Sequence, residues 1–314
     1  MLSRRLFIAA AAALPLAALA KARTMRIIVP YPAGGPLDAS ARFLSEALKS
    51  RWGKTVVDNR PGAAGARGMQ AAKTAAPDGK TLVVGALATL AVNPYIQKGL
   101  PYEAGDFTPV ALLSDAPNVL VMTPQTMKKW GLTDAASLLA YIKAHPGELN
   151  FASGGNGSAG HLAGLVLGQH GYPMVHIPYA GAQAAQLSVF SGETDLMFDN
   201  WGSCREAIED GRLKALAVTT EAPYEPLAVP TLKSLGIACD LSTWFGLLAP
   251  KGTNPAFCQT LFEDIRYALS LADSAALFDR IAGGMKLLNP QDFARWIAKE
   301  QVKYETLLKS LSLS

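Results

Sequence analysis

Short apolar runs rich in β-branched residues recur along the chain, and stretches with apolar positions at helical spacing separate them. That alternation restricts the fold to an α/β sheet with helices on its faces. Strands are expected over 25–29, 55–57, 81–85, 119–122, 149–152, 174–177, 194–198, 214–219 and 244–249. Helices are expected over 39–52, 68–75, 132–144, 161–170, 182–191, 204–210 and from 254 to 308. Asp38 is placed to cap the first helix and Gly53 to stop it. The last helical stretch has no strands of its own and is assigned back to the first sheet. The expected division is therefore a discontinuous first lobe, 24–123 plus 245–314, and an inserted second lobe, 124–244. The two chain crossings, near Thr123 and Trp244, would form the hinge.

The first residues set the compartment. Arg4 and Arg5 precede an uncharged run from Leu6 to Ala20, and small residues follow. At about 15 residues the run is short of the ~20 that span a bilayer, so 1–22 reads as a secretory signal peptide. Ser3-Arg4-Arg5-Leu6-Phe7 also has the look of a twin-arginine signal. Three of the 29 basic residues leave with that segment, which brings the rest close to balance with the 25 acidic ones. The basic pI is thus a targeting effect, and no basic stripe points to nucleic acid. Cys204, Cys239 and Cys258 form no C-x-x-C, which argues against metal and redox motifs and leaves one disulfide or three buried thiols open.

Three segments join a strand end to a helix start and are rich in glycine or small polar residues. The first, from Pro30, holds Tyr31, Ala33, Gly34, Gly35, Leu37 and Asp38. The second holds Ser153, Gly154, Asn156, Gly157, Ser158 and His161. The third, 198–202, holds Asp199 and Asn200. Ligands of open α/β sheets gather at such strand ends, where unpaired N–H groups of helix starts suit a carboxylate and glycine allows close approach. The second segment is formally G-x-G-x-x-G, but the strand that follows ends at Ile177-Pro178-Tyr179-Ala180 with no acid, so dinucleotide binding is rejected. Ser158 is a plausible N-cap. Ser158, His161 and Asp199 could suggest a hydrolase triad, yet no G-x-S-x-G elbow frames the serine and no catalytic residue is expected.

These segments carry a family resemblance. The stretch Ile28-Val29-Pro30-Tyr31-Pro32-Ala33-Gly34-Gly35-Pro36-Leu37-Asp38 resembles the opening of the Bug family, the substrate-binding proteins of tripartite tricarboxylate transporters. Further matches follow in order: Asp58-Asn59-Arg60-Pro61-Gly62, Ala76-Pro77-Asp78-Gly79, Asn150-Phe151-Ala152-Ser153-Gly154-Gly155-Asn156-Gly157-Ser158, Ile177-Pro178-Tyr179-Ala180-Gly181 and Trp244-Phe245-Gly246. The resemblance implies a two-lobed periplasmic-binding-protein fold of type II character. It implies a small carboxylated solute, held without an arginine clamp and handed to membrane transporter subunits. A periplasmic sensor that presents its closed form to a signalling receptor is the alternative. Tyr179, Ala180, Gly181 and Thr89 complete the expected ligand set. No cofactor, metal or nucleic acid is expected, and the chain is expected to be a monomer. Where the family commonly has a hydroxyl residue before Asp38, this chain has Leu37. Ala159 and Gly160 replace further serines, and Ala180 replaces a long polar residue. Each change removes polar capacity, which points to an acid with an apolar or aromatic body.

Overall fold

The computed structural model describes residues 24–313, so the leader read over 1–22 lies outside the described residues. β1 (Met25–Val29) is buried except at Arg26, as befits a strand covered on both faces. It pairs in parallel with β2 (Thr55–Asn59) and β3 (Thr81–Ala86). Between them run α1 (Pro36–Ala47), α2 (Lys49–Trp52) and α3 (Ala66–Lys73). α1 starts earlier than its apolar spacing indicates. Gly35 is the N-cap and Pro36 takes the first helical position, where its missing N–H costs nothing. Asp38 therefore sits inside the first turn and is not the cap. Gly53, at φ 74°, ends α2 in a conformation that suits glycine.

After β3 come a π-helical turn at Ala88–Val92 and the short α4 (Asn93–Ile96). β4 (Phe107–Met122) then runs 16 residues, far beyond the expected 119–122. Pro109, Asp115 and Pro117 interrupt its apolar pattern, and irregularities in its pairing beside Pro109 absorb one proline. The chain continues through α5 (Pro124–Lys129), α6 (Ala135–Ala144), β5 (Asn150–Ser153), α7 (Ala159–Gln169), β6 (Val175–Pro178), α8 (Ala182–Ser191), β7 (Leu196–Asn200), α9 (Trp201–Glu209) and β8 (Lys214–Val218). β9 (Ser242–Pro250), α10 (Pro255–Ala268), α11 (Ala272–Ala282), β10 (Met285–Leu288) and α12 (Pro290–Ser310) complete it. β10 corrects the all-helical reading of this last stretch, since it pairs antiparallel with β4.

β4 joins two groups of strands. Its Phe107–Pro117 portion pairs with β9, which also pairs with β3. Its Asn118–Met122 portion pairs with β7 and β8, and β5 lies between β7 and β6 in parallel. The strand order is β2-β1-β3-β9-β4-β7-β5-β6. One core cluster fills the space between the first strands and α1, α10 and α11, including Leu44, Phe245, Leu261 and Phe278. A larger one runs beneath both groups, from Met69 and Val83 through Phe151 and Leu162 to Tyr304 and Leu308 of α12. Trp244 lies at its centre, fully buried, and donates its indole N–H to Glu300 Oε2 at 2.8 Å. Cys204, Cys239 and Cys258 are all free and buried, in three different clusters, so they pack as small apolar side chains.

Candidate functional site

Four helices begin around one pocket. α1 enters at Gly35–Asp38, α7 at Ser158–Gly160, α8 at Gly181–Gln183 and α9 just after Asp199 and Asn200. The first turn of a helix leaves its N–H groups without intrahelical partners and carries about half a positive charge. Four such ends converge on a space of about 1010 Å³, open mouth included. Ala33, Leu37, Ala64, Ala86, Leu87, Ala88, Ala159, Ala180 and Phe198 give the wall its mostly carbon character. Among the described residues no lysine, arginine or histidine lines it.

Of the residues singled out from sequence, Tyr31, Ala33, Gly35, Leu37, Asp38, Gly154, Asn156, Ser158, Ala180, Gly181, Asp199 and Asn200 line this pocket. The other six do not line it. Gly34 donates to Asp38 and accepts from the Gln183 side chain. The Thr89 hydroxyl is turned onto Ala86, and its carbonyl accepts from Tyr102. Ser153 Oγ meets His176 Nε2 at 2.7 Å. Gly157 donates to His161. Tyr179 packs against the apolar cluster of Val119, Ala185 and Met197. Sequence reasoning missed Asn118 and Thr243, which face the pocket from β4 and β9 and are hydrogen-bonded to each other. It also missed the Ala86–Ala88 corner and Gln183. Only Gln183 had a visible signal, as it lies in the first turn of a helix that opens on a glycine.

The loop before α7 needs its glycines. Gly155 and Gly157 have φ of 121° and 80°, a region side chains rarely adopt. Ser158 then caps α7, its hydroxyl accepting from the His161 N–H. The His161 ring lies below, its Nδ1 accepting the Gly157 N–H at 3.1 Å, and it stacks on His176 with centroids 4.2 Å apart. The Ser158 hydroxyl meets the His161 N–H and not its ring, the ring accepts from Gly157, and Asp199 is held by Gln186, so the three residues do not make a relay.

Burial, then the neighbouring His176, pushes the His161 pKa down to about 4; burial does the same to His176. Both rings are neutral in the folded protein near pH 7, but an unfolded histidine titrates near 6.5. Stability from this pair is therefore complete above about pH 6.5 and is lost as pH falls towards about 4. A protonated Nδ1 also cannot accept from Gly157. We expect the melting temperature to fall between pH 7 and pH 4.5 and His161→Gln to flatten that fall. Equal slopes for both proteins in pH-dependent thermal denaturation would show the pair does not matter.

The two acids of the wall behave differently. Burial alone would raise the Asp38 pKa. Hydrogen bonds from Arg42, Gly34 N–H and Asn59, with the Arg42 charge, outweigh it and hold Asp38 below its ordinary value. Asp199 has no cationic partner. Burial pushes it up to about 7, against hydrogen bonds from Gln186, Ser203 and the Asn200 N–H.

Contacts cross the pocket mouth. Gln183 Nε2 donates to the Gly34 carbonyl at 3.1 Å. Gly202 of α9 lies against the end of α11. A Cβ there would stand 2.6 Å from the Ile281 carbonyl oxygen and 2.8 Å from Gly283 N. The absence of a side chain at Gly202 thus admits the backbone at the end of α11.

Residues 40–313 match the tripartite tricarboxylate transporter family receptor. The chain is 35% identical to Protein BugT of Bordetella pertussis over 286 residues, covering 89% of this chain and 86% of BugT. The R. palustris protein Rpa4515, solved with adipate, superposes with a TM-score of 0.85 at 27% identity, covering 92% of this chain and 97% of that one. MatC from Rhodopseudomonas palustris, solved with bound malate, gives 0.81 at 27% identity, with 91% and 99% coverage. The architecture is the α/β periplasmic-binding-protein fold, and the chain belongs to the tripartite tricarboxylate transporter receptor family of periplasmic solute-binding proteins.

Proposed function

We propose that this protein captures a small organic acid in the pocket where α1, α7, α8 and α9 begin and delivers it to the membrane subunits of a tripartite transporter. The observation that carries this reading is the convergence of four helix starts on a pocket with no basic side chain. Such a site suits a carboxylate read by backbone N–H groups. Relatives of the same fold hold adipate and malate, which are both carboxylates. Residues 1–22 act as a leader removed on export, by the twin-arginine route on the reading of Arg4 and Arg5. Residues 24–123 with 245–314 form one lobe and 124–244 the other, hinged at the chain crossings near Thr123 and Trp244. Ligand contacts to both lobes favour the closed form. Ser158, His161 and Asp199 serve binding and loop shape, and the protein carries out no catalysis.

The apolar wall narrows the acid. Leu37, Ala159, Ala180 and Phe198 offer no hydrogen bonds from their side chains, so a ligand rich in hydroxyls would lose its water without replacement. The ligand has one or two carboxylates on an apolar or aromatic body. A thermal-shift panel of adipate, phenylacetate, benzoate, malate and citrate tests this. The largest stabilisation is expected from the first three. Strong stabilisation by citrate, with none by the aromatic acids, would contradict it.

A further inference from the structure

An acid-binding pocket without a cation has an unbalanced charge problem if one of its own walls is ionised. Asp199 presents that problem. It lines the pocket, its side chain is almost wholly buried, and its carboxyl oxygens accept from Gln186 Nε2 at 2.7 Å and from the Asn200 N–H at 2.8 Å. No charged side chain acts on it, and the start of α9 supplies only the partial charge of its N–H groups. β4 places Val119 directly opposite, α8 contributes Gln186, and α9 contributes Ser203 and the Cys204 thiol. That thiol is the one ionisable group among them, and burial raises its pKa so that it stays neutral. Across the pocket Asp38 is charged but already paired with Arg42.

Resting on the reading of this pocket as an acid site, we infer that Asp199 takes up a proton from solvent when the anion binds. The ligand remains a carboxylate, and Asp199 becomes a neutral carboxylic acid whose hydroxyl has Ser203 as an available partner. Free Asp199 is poised for this, since burial sets its pKa near 7 and a second anion in the same pocket raises it further. The pocket is then a proton-linked anion site, with tighter binding at lower pH across the neutral range. The His161 and His176 rings, held down to about 4, do not titrate in that range.

Isothermal titration calorimetry tests this with adipate and phenylacetate as probes, both fully ionised above pH 6.5. At pH 8 the binding enthalpy should differ between phosphate and Tris buffers by the amount that uptake of roughly half a proton or more requires. Affinity should fall between pH 6.5 and 8.5, approaching but not exceeding about tenfold per pH unit. Asp199→Asn, a neutral shape mimic, should bind more tightly than wild type at pH 8.5 and lose the buffer dependence. A probe that binds wild type with the same enthalpy in both buffers overturns the inference and leaves the acid pocket standing. So does proton uptake that persists in Asp199→Asn. Failure of both probes to bind at any pH overturns the reading of this pocket as a site for an acid with an apolar body, and the inference with it.

Discussion

Trp244→Ala should lower the stability of the protein by about 5 kcal/mol, the largest loss expected from a single substitution here. Removing a fully buried tryptophan costs roughly 3–5 kcal/mol through lost burial and a residual cavity. A second cost follows because Trp244 is the hydrogen-bond partner of Glu300, whose buried carboxyl would be left without it at a further ~1–3 kcal/mol. Burial already raises the Glu300 pKa, so part of that second cost is relieved by protonation. The position matters because β9 pairs here with β4, the strand that joins the two groups, while Phe293 and Glu300 of α12 hold the indole. The melting temperature should drop by about 10 °C. Trp244→Phe, which keeps most of the volume but loses the indole N–H, should cost about half as much. Chemical denaturation of the two variants checks this, and equal losses would show that the lost Glu300 bond, common to both variants, carries the effect and the lost volume none of it.

The second large effect concerns closure. Gly202→Ala should weaken ligand binding by roughly 10- to 100-fold, the 1–3 kcal/mol of an overpacked contact expressed as affinity. The added methyl would meet backbone atoms of Ile281, Ala282 and Gly283, which cannot rotate away. On the proposed mechanism α9 and α11 stand apart in the open, ligand-free form, where alanine is the better helix former in α9 and the fold should not suffer. The combination distinguishes a closure defect from misfolding. The ligand-free melting temperature should be unchanged or higher, affinity lower, and the compaction on ligand addition smaller in small-angle X-ray scattering. Unchanged affinity would mean that α9 and the end of α11 are not pressed together in the ligand-bound form.

Both residues bear on how much of the molecule its sequence discloses. The alternation of strands and helices was legible because runs such as 27–29, 82–86 and 196–198 are wholly buried and carry no polar residue. β4 was read at a quarter of its length because Pro109, Asp115 and Pro117 break its pattern, while distant pairing with β9 holds it extended. β10 was unread because Met285–Leu288 is only half-buried and takes its strand form from β4. Tertiary context overrides local preference in both. Asp38 was misplaced for a local reason: a proline at the first helical position moves the cap back to Gly35.

The site shows the same division. Its loops announce themselves, since strained turns need glycine and helix starts need capping groups. Its floor does not. Asn118 and Thr243 are 125 residues apart in the chain and meet only because β4 and β9 pair. Gly202, at a strand-to-helix junction, admits the backbone at the end of α11, which is distant in sequence.

The central claim is that the acid is held by the N–H groups of converging helix starts and by no cationic side chain. A crystal structure grown with whichever carboxylate gives the largest thermal shift tests it most directly. The account predicts a carboxylate within hydrogen-bonding distance of backbone N–H groups among residues 35–38, 154–160 or 181–183, with its carbon body against Leu37, Ala159, Ala180 or Phe198. A carboxylate paired with a lysine or arginine side chain, or seated outside this pocket, would contradict it.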